Sequence, residues 1–269
     1  MIIFLAITLF PLIWIISLSL RQPEQAFKSY LFIIPKSITL KNFPDALNYA
    51  REVMRVSFGR MFLNGSIITV STIILTVITS SFAAFCFSYY SFKLKEFLFV
   101  LILLVFMVPQ ALLLIPMFQI LKTLKLLNTY LGIILTLTTI QIPLSTMMLR
   151  SFFEELSTEI KDAARIDGSS DFNFYLRIVL PMSRAGLATV MIFVFLITWN
   201  DYLFVLVFTT QSKLQTLPVA LSQLISGRGI VPWGIYGATV VIAILPIAIV
   251  FFLFQRWFIR GMTMGSLKG

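Results

Sequence analysis

Long apolar runs separated by short polar connections set the pattern of the whole chain. A bilayer core takes about 20 apolar residues per helix, and six runs reach that length, near Ile2–Leu20, Phe62–Tyr89, Phe97–Phe118, Leu131–Leu149, Leu187–Phe208 and Ile235–Phe254. Unpaired backbone groups are too costly in lipid for anything but helices or closed barrels. These runs are too long and uniform for barrel strands. The pattern therefore predicts an all-α membrane protein with six transmembrane helices, a single transmembrane domain over residues 1–269. The first run starts almost at Met1 with no basic stretch before it. No small-residue cleavage site follows, so a retained helix is expected rather than a signal peptide.

Two connections carry patterns of their own. In residues 21–60, the second half reads ALNYAREVMRVSFGRM, with Leu47, Ala50, Met54, Phe58 and Met61 at helical spacing and Arg51, Arg55 and Arg60 off that stripe. This predicts an interfacial amphipathic helix, with docking of a soluble partner as the second reading. In residues 150–182, Glu154, Glu155, Glu159, Asp162, Asp167 and Asp171 account for six of the eleven acids of the chain. Ser157 or Thr158 can cap a helix whose first turns hold Glu159 and Asp162. Gly168 supplies a left-handed stop. Ser169 or Ser170 then caps a second short helix from Asp171 towards Ile178, and Pro181 marks the return to the membrane. The result is a helix–glycine–helix elbow, with Ala163 and Ala164 as a smooth patch flanked by the charges of Glu159, Lys161, Asp162, Arg165 and Asp167. A solvated loop kept out of the bilayer by its charges is the plainer alternative.

Composition narrows the chemistry. Hydrophobic residues make up 59% of the chain and charged residues 12%, about half the charge of a soluble domain. There is no histidine and one cysteine, Cys86, which excludes Cys/His zinc sites, histidine acid–base chemistry and an internal disulfide. No phosphate-binding loop of the G-x-x-x-x-G-K-[ST] type occurs, so no cofactor is expected on this chain. The net charge of +10 is spread over loops at helix ends and does not point to nucleic acid. With both termini placed inside, the inner loops hold ten Lys and Arg and the outer loops eleven, so charge asymmetry leaves the orientation open.

Few polar residues enter the apolar runs. Asp201 lies in the fifth, beside Trp199 and Asn200, and an intramembrane carboxylate is a functional-site candidate by default. An aromatic face with hydroxyl-pairing groups suits a sugar, although a cap on a helix break is the first reading for Asp201. Asn64, Gln110, Gln141 and Thr198 face the interior and read first as helix–helix contacts. Prolines 11, 109, 116, 143 and 246 sit within or beside the runs, where each removes a backbone donor. Gly234, Gly237 and Gly261 read as packing or turn positions.

Asp162-Ala163-Ala164, three residues, Gly168, nine residues and Ile178-Val179-Leu180-Pro181 resemble the EAA-x₃-G-x₉-I-x-L-P signature of ABC importer permeases, with Asp in place of the usual Glu. ARIDG at 164–168, WNDYL at 199–203, TLPVAL at 216–221, LPIAIVFFLFQRWFIRG at 245–261 and the terminal GSLKG are similar to the carbohydrate importers of the maltose-transporter type, in particular the smaller, six-helix partner of a permease pair. The resemblance implies that the elbow between helices 4 and 5 is a cytoplasmic coupling loop whose Glu159, Asp162, Ala163, Ala164, Arg165, Asp167, Gly168 and Pro181 meet an ATPase subunit. It further implies cytoplasmic termini, an extracytoplasmic 21–60 loop, and ATPase contact by the C-terminal Gly265, Lys268 and Gly269. Asn64, Gln110, Gln141, Trp199, Asn200 and Asp201 would border the sugar path. The expected setting is a prokaryotic cell membrane. The expected partners are a second permease subunit, two copies of an ATPase that binds ATP and Mg, an extracytoplasmic solute-binding protein and the sugar. The alternatives are an ion-coupled secondary transporter and an ABC permease for a non-sugar solute. A membrane enzyme is remote, because no nucleophile or paired intramembrane carboxylates are present.

Overall fold

The computed structural model describes residues 2–22, 35, 37–53, 55–226 and 232–266. Among these, helices account for nearly all regular structure. The nearest approach to a strand is a single bridge between Arg21 and Ile38. In chain order the helices are α1 (Ile2–Ser19), α2 (Asn42–Val53), α3 (Phe58–Tyr89), α4 (Lys95–Leu104), α5 (Gln110–Thr123), α6 (Tyr130–Glu154), α7 (Thr158–Ile166), α8 (Asp171–Phe174), α9 (Leu180–Met182), α10 (Arg184–Trp199), α11 (Leu203–Phe208), α12 (Leu217–Ser226) and α13 (Trp233–Ser266).

Three described helices are long and apolar enough to cross a membrane, namely α3, α6 and α13 over Trp233–Gln255. The count rises to five if each of two bent pairs is one span, and α1 is a shorter apolar helix. The expected third span is one of the bent pairs. The stretch Lys95–Met107 meets Gln110–Thr123 at 102° because Pro109 forces its predecessor out of the helical region. Val108 is extended, at φ −82° and ψ 121°, and α5 restarts with Leu112 N–H donating to Pro109 O. The expected fifth span is also divided. Asp171–Met182 meets Arg184–Trp199 at 77°, α10 ends at Trp199, and Leu203–Phe208 forms a separate short helix. The helix α12 was not foreseen in the sequence. Gly261 lies within the continuous α13 rather than in a turn.

The chain forms two compact units, Met1–Ser66 with Asp201–Ile249, and Ile67–Asn200 with Val250–Gly269. In the first, the expected stripe from Leu47 to Met61 is divided between two helices. The helix stops at Val53, Arg55 takes a positive φ of 55°, and α3 starts at Phe58. The face of α2 that is buried carries Ala46 and Ala50, whereas Leu47 is exposed. Met54 lies outside the described residues. Asn42 anchors α2 by donating to the carbonyls of Ser19 and Arg21 at 2.8 and 2.7 Å. Gly234 and Gly237 of α13 pack as expected, the first against Asn42 and the second against the Ser19 backbone.

In the second unit, Ala84 and Phe85 of α3, Leu149 and Phe153 of α6, and Val190 and Val194 of α10 form one apolar cluster with Ala164, Phe174, Tyr175 and Val179. The elbow is therefore seated on α3, α6 and α10, and its position is set by that packing.

Candidate functional site

The elbow forms as its residues dictate. The Ser157 hydroxyl accepts the N–H of Glu159 at 3.2 Å and so caps α7. At the other end, Ser169 N–H donates to Ala164 O at 2.9 Å and Gly168 N–H to Arg165 O at 3.0 Å. These two bonds make a Schellman stop, which requires the positive φ of 76° that Gly168 adopts. A Cβ at Gly168 would meet nothing within 4 Å, so conformation rather than space selects glycine here. The Ser170 hydroxyl accepts Asn173 N–H at 3.3 Å and caps α8. The second helix is shorter than expected, because Tyr175–Val179 form a wider π turn before Leu180–Met182 resume. Pro181 sits in the first turn of that last segment.

The two faces of the elbow differ. Ala164 points inward and is buried, so the expected Ala163–Ala164 patch is split and only Ala163 faces out. Glu159, Asp162, Arg165 and Asp167 are exposed, and between the last two stands Ile166, 86% exposed. Phe172 is exposed on the same elbow. A large aliphatic side chain so far out of water-excluding contact, ringed by charge, has the makeup of a docking point. Sequence reasoning missed Ile166, although its place between Arg165 and Asp167 was visible.

Lys161 also departs from expectation. Instead of flanking an outer contact, its ammonium bonds to the carbonyl of Tyr89, the last residue of α3. It lies 5.5 and 5.2 Å from the ring centroids of Tyr89 and Tyr90. Burial lowers the Lys161 pKa, and the neighbouring Arg165 lowers it further. The Tyr90 hydroxyl donates to Asp171 Oδ2 at 2.6 Å. That bond and partial burial push the phenol up to about 12. Asp171 Oδ1 lies 3.9 Å from Arg165.

Of the six expected path residues, Asn64, Trp199, Asn200 and Asp201 are held by contacts within the chain, and Gln110, expected to face the interior, is exposed instead. Asn64, fully buried, donates to the carbonyls of Lys213 and Gln215 at 2.9 and 2.8 Å. Gln141 is buried on α6, and Gln110 is exposed at the start of α5. Trp199 is buried and stacks on Phe195 at 5.7 Å. Asn200 donates to Leu196 O, and Asp201 Oδ1 accepts Val205 N–H at 3.1 Å. Asp201 thus caps the break before α11. Among the C-terminal residues, Gly265 lies in the backbone of α13, whereas Lys268 and Gly269 lie outside the described residues. Among the described residues, no group of three or more His, Cys, Asp or Glu side chains could hold a metal ion.

Residues 76–264 match the family described as the binding-protein-dependent transport system inner membrane component. The chain is 33% identical over 97% of its length, and 84% of the relative, to the probable ABC transporter permease protein YurM of Bacillus subtilis. It is 32% identical to the trehalose/maltose transport system permease protein MalG of Thermococcus litoralis, covering 98% of this chain and 92% of that one. It is also 32% identical to the sulfoquinovosyl glycerol transport system permease protein SmoH of Agrobacterium fabrum, covering 97% and 89%. Its fold matches a chain in the crystal structure of a bacterial ABC transporter involved in alginate import, with a TM-score of 0.84 at 22% identity over 95% of this chain and 92% of that one. The chain belongs to the family of inner-membrane permease components of binding-protein-dependent ABC transport systems, whose ATPase is a separate subunit.

Proposed function

We propose that this permease is one half of the membrane pathway of an ATP-driven sugar importer, and that residues 158–182 receive the movement of a cytoplasmic ATPase. Counting α1, the bent pair Lys95–Thr123 and α10 as one span each, beside α3, α6 and α13, brings the total to six, with both termini and the elbow in the cytoplasm and residues 21–60 outside. A second permease subunit completes the pathway, and two ATPase copies carry ATP and Mg. An extracytoplasmic solute-binding protein delivers the cargo. The sugar reading draws on the names of the relatives, which are permeases of trehalose/maltose and sulfoquinovosyl glycerol systems.

The observation that carries the coupling role is the exposure of Ile166 at the end of a capped helix whose opposite face, through Ala164, is packed into the membrane unit. A contact made on one face is thereby joined to α3, α6 and α10 on the other. Asp162, Ala163, Arg165 and Asp167 border that contact, while Gly168 and Pro181 shape it.

The test is co-purification of this chain with its partner permease and ATPase. The unsubstituted chain should retain the ATPase. Ile166→Asp, a change on an exposed side chain, should lose it while keeping the partner permease. Failure of the unsubstituted chain to bind ATPase, or binding that ignores both Ile166→Asp and Gly168→Asp, would overturn the proposal and return attention to ion-driven transport through Asp201.

A further inference from the structure

The elbow continues covalently into α6 on one side and α10 on the other, but α3 has no such connection to it. Any force passing from the elbow to α3 must cross non-covalent contacts. The end of α3 presents carbonyls with no partner inside the helix and a negative end of the helix dipole. The Lys161 ammonium meets both at the Tyr89 carbonyl. Tyr90, one residue further, is bonded to Asp171 at the start of α8. Deeper in, the hydroxyls of Ser81 and Tyr175 are 2.7 Å apart and buried, and Phe82 stacks on Tyr175 with ring centroids 4.7 Å apart. Both halves of the elbow are thus fastened to the last three turns of α3.

We propose that Lys161 is a positioning residue that, with the Tyr90–Asp171 bond, locks α3 to the elbow so that the two move as one body during the transport cycle. The proposal rests on the coupling reading of the elbow. It adds that α3 follows the elbow through a cap supplied from α7, rather than through the chain.

Cys86 is the sole cysteine and is exposed near the end of α3, and Asn173 is exposed on α8. Spin labels at Cys86 and at Asn173→Cys report the separation of helix and elbow in the complex purified with its ATPase. The unsubstituted complex should give one narrow distance, the same without nucleotide and with ATP in the absence of magnesium. Lys161→Met should lose that single distance when ATP is added, and Lys161→Arg should restore it. A distance that changes with ATP in the unsubstituted complex would overturn the lock, as would a Lys161→Met complex that behaves like it in both states. If Lys161→Met fails to assemble, Tyr90→Phe and the comparison of states in the unsubstituted complex still decide. If no ATPase binds the unsubstituted chain, the coupling reading fails. The same labels in the full chain in nanodiscs, with and without Lys161→Met, then test the cap separately.

Discussion

Asn64 and Gln215, 151 residues apart, are joined by a buried hydrogen bond of 2.8 Å, and the same amide also holds the carbonyl of Lys213. One side chain on α3 thereby reaches two backbone acceptors at the end of a short 3₁₀ turn, Ser212–Leu214. Asn64→Ala should leave the buried Gln215 carbonyl without that donor, at about 1–3 kcal/mol, whereas the Lys213 carbonyl keeps Arg60 Nε at 3.3 Å. Asn64→Asp should be at least as damaging at neutral pH, because it turns a carboxylate towards two carbonyls. Apparent Tm in detergent, followed by loss of the folded size-exclusion peak, checks this. An Asn64→Ala variant as stable as the parent would mean that the segment finds other donors.

Two glycines should respond to alanine for different reasons. At Gly168 the space is open and the cost is the left-handed backbone, about 1–2 kcal/mol for a residue with a Cβ. At Gly234 a Cβ would lie 2.5 Å from Asn42 Nδ2, the atom that donates to Ser19 and Arg21. Gly234→Ala must therefore displace a side chain already holding α2 in place, and it should lower Tm more than Gly168→Ala. Equal losses would show that Asn42 can move aside cheaply.

The sequence disclosed the long helices and the caps better than it disclosed the breaks. Ser157, Gly168 and Ser170 act through local geometry, and local geometry is what a short motif encodes. The bend at Pro109 was less legible. A proline in an apolar run is compatible with a kinked span or a full break, and neighbouring packing selects between them. The stripe from Leu47 to Met61 is divided because α2 and α3 are separate helices, parted at a positive-φ Arg55, although Ala50, Phe58 and Met61 on it are buried. Lys161 was counted among outward charges because its partner, the carbonyl of Tyr89, is 72 residues away and carries no side-chain signal. Asp201 was legible, since capping a helix break was its first reading.

Tyr90 provides a prediction in pH. Its phenol is held up to about 12, first by the hydrogen bond to Asp171 and then by burial. A group raised above its ordinary value near 10 adds stability that is fully present below pH ~10 and lost as pH climbs through ~12. The Tyr90–Asp171 bond should thus hold across the neutral range and fail only in strong alkali. Tyrosinate absorbance should show a late step that Tyr90→Phe removes and Asp171→Asn moves towards lower pH. If Asp171→Asn leaves the step in place, burial rather than the carboxylate sets it.

Ala163 and Ala164 offer a final discrimination, because neighbours in sequence face opposite ways. Ala164 packs among Phe153, Phe174 and Val179, so Ala164→Leu overfills a closed cluster, typically at about 1–3 kcal/mol. Ala163 is exposed, and Ala163→Leu should leave Tm unchanged. If the outer face of α7 meets the ATPase, however, the added bulk at 163 lands in that contact and should weaken ATPase retention in co-purification. The pair separates the two roles of the elbow: one substitution should cost stability before it affects the partner, and the other should affect the partner at full stability. The opposite assignment, with Ala163→Leu unfolding the chain and Ala164→Leu tolerated, would mean that α7 is rotated from the orientation described above. Lys161 would then turn away from the Tyr89 carbonyl as well, since Lys161 and Ala164 lie one turn apart on the same inner side of α7.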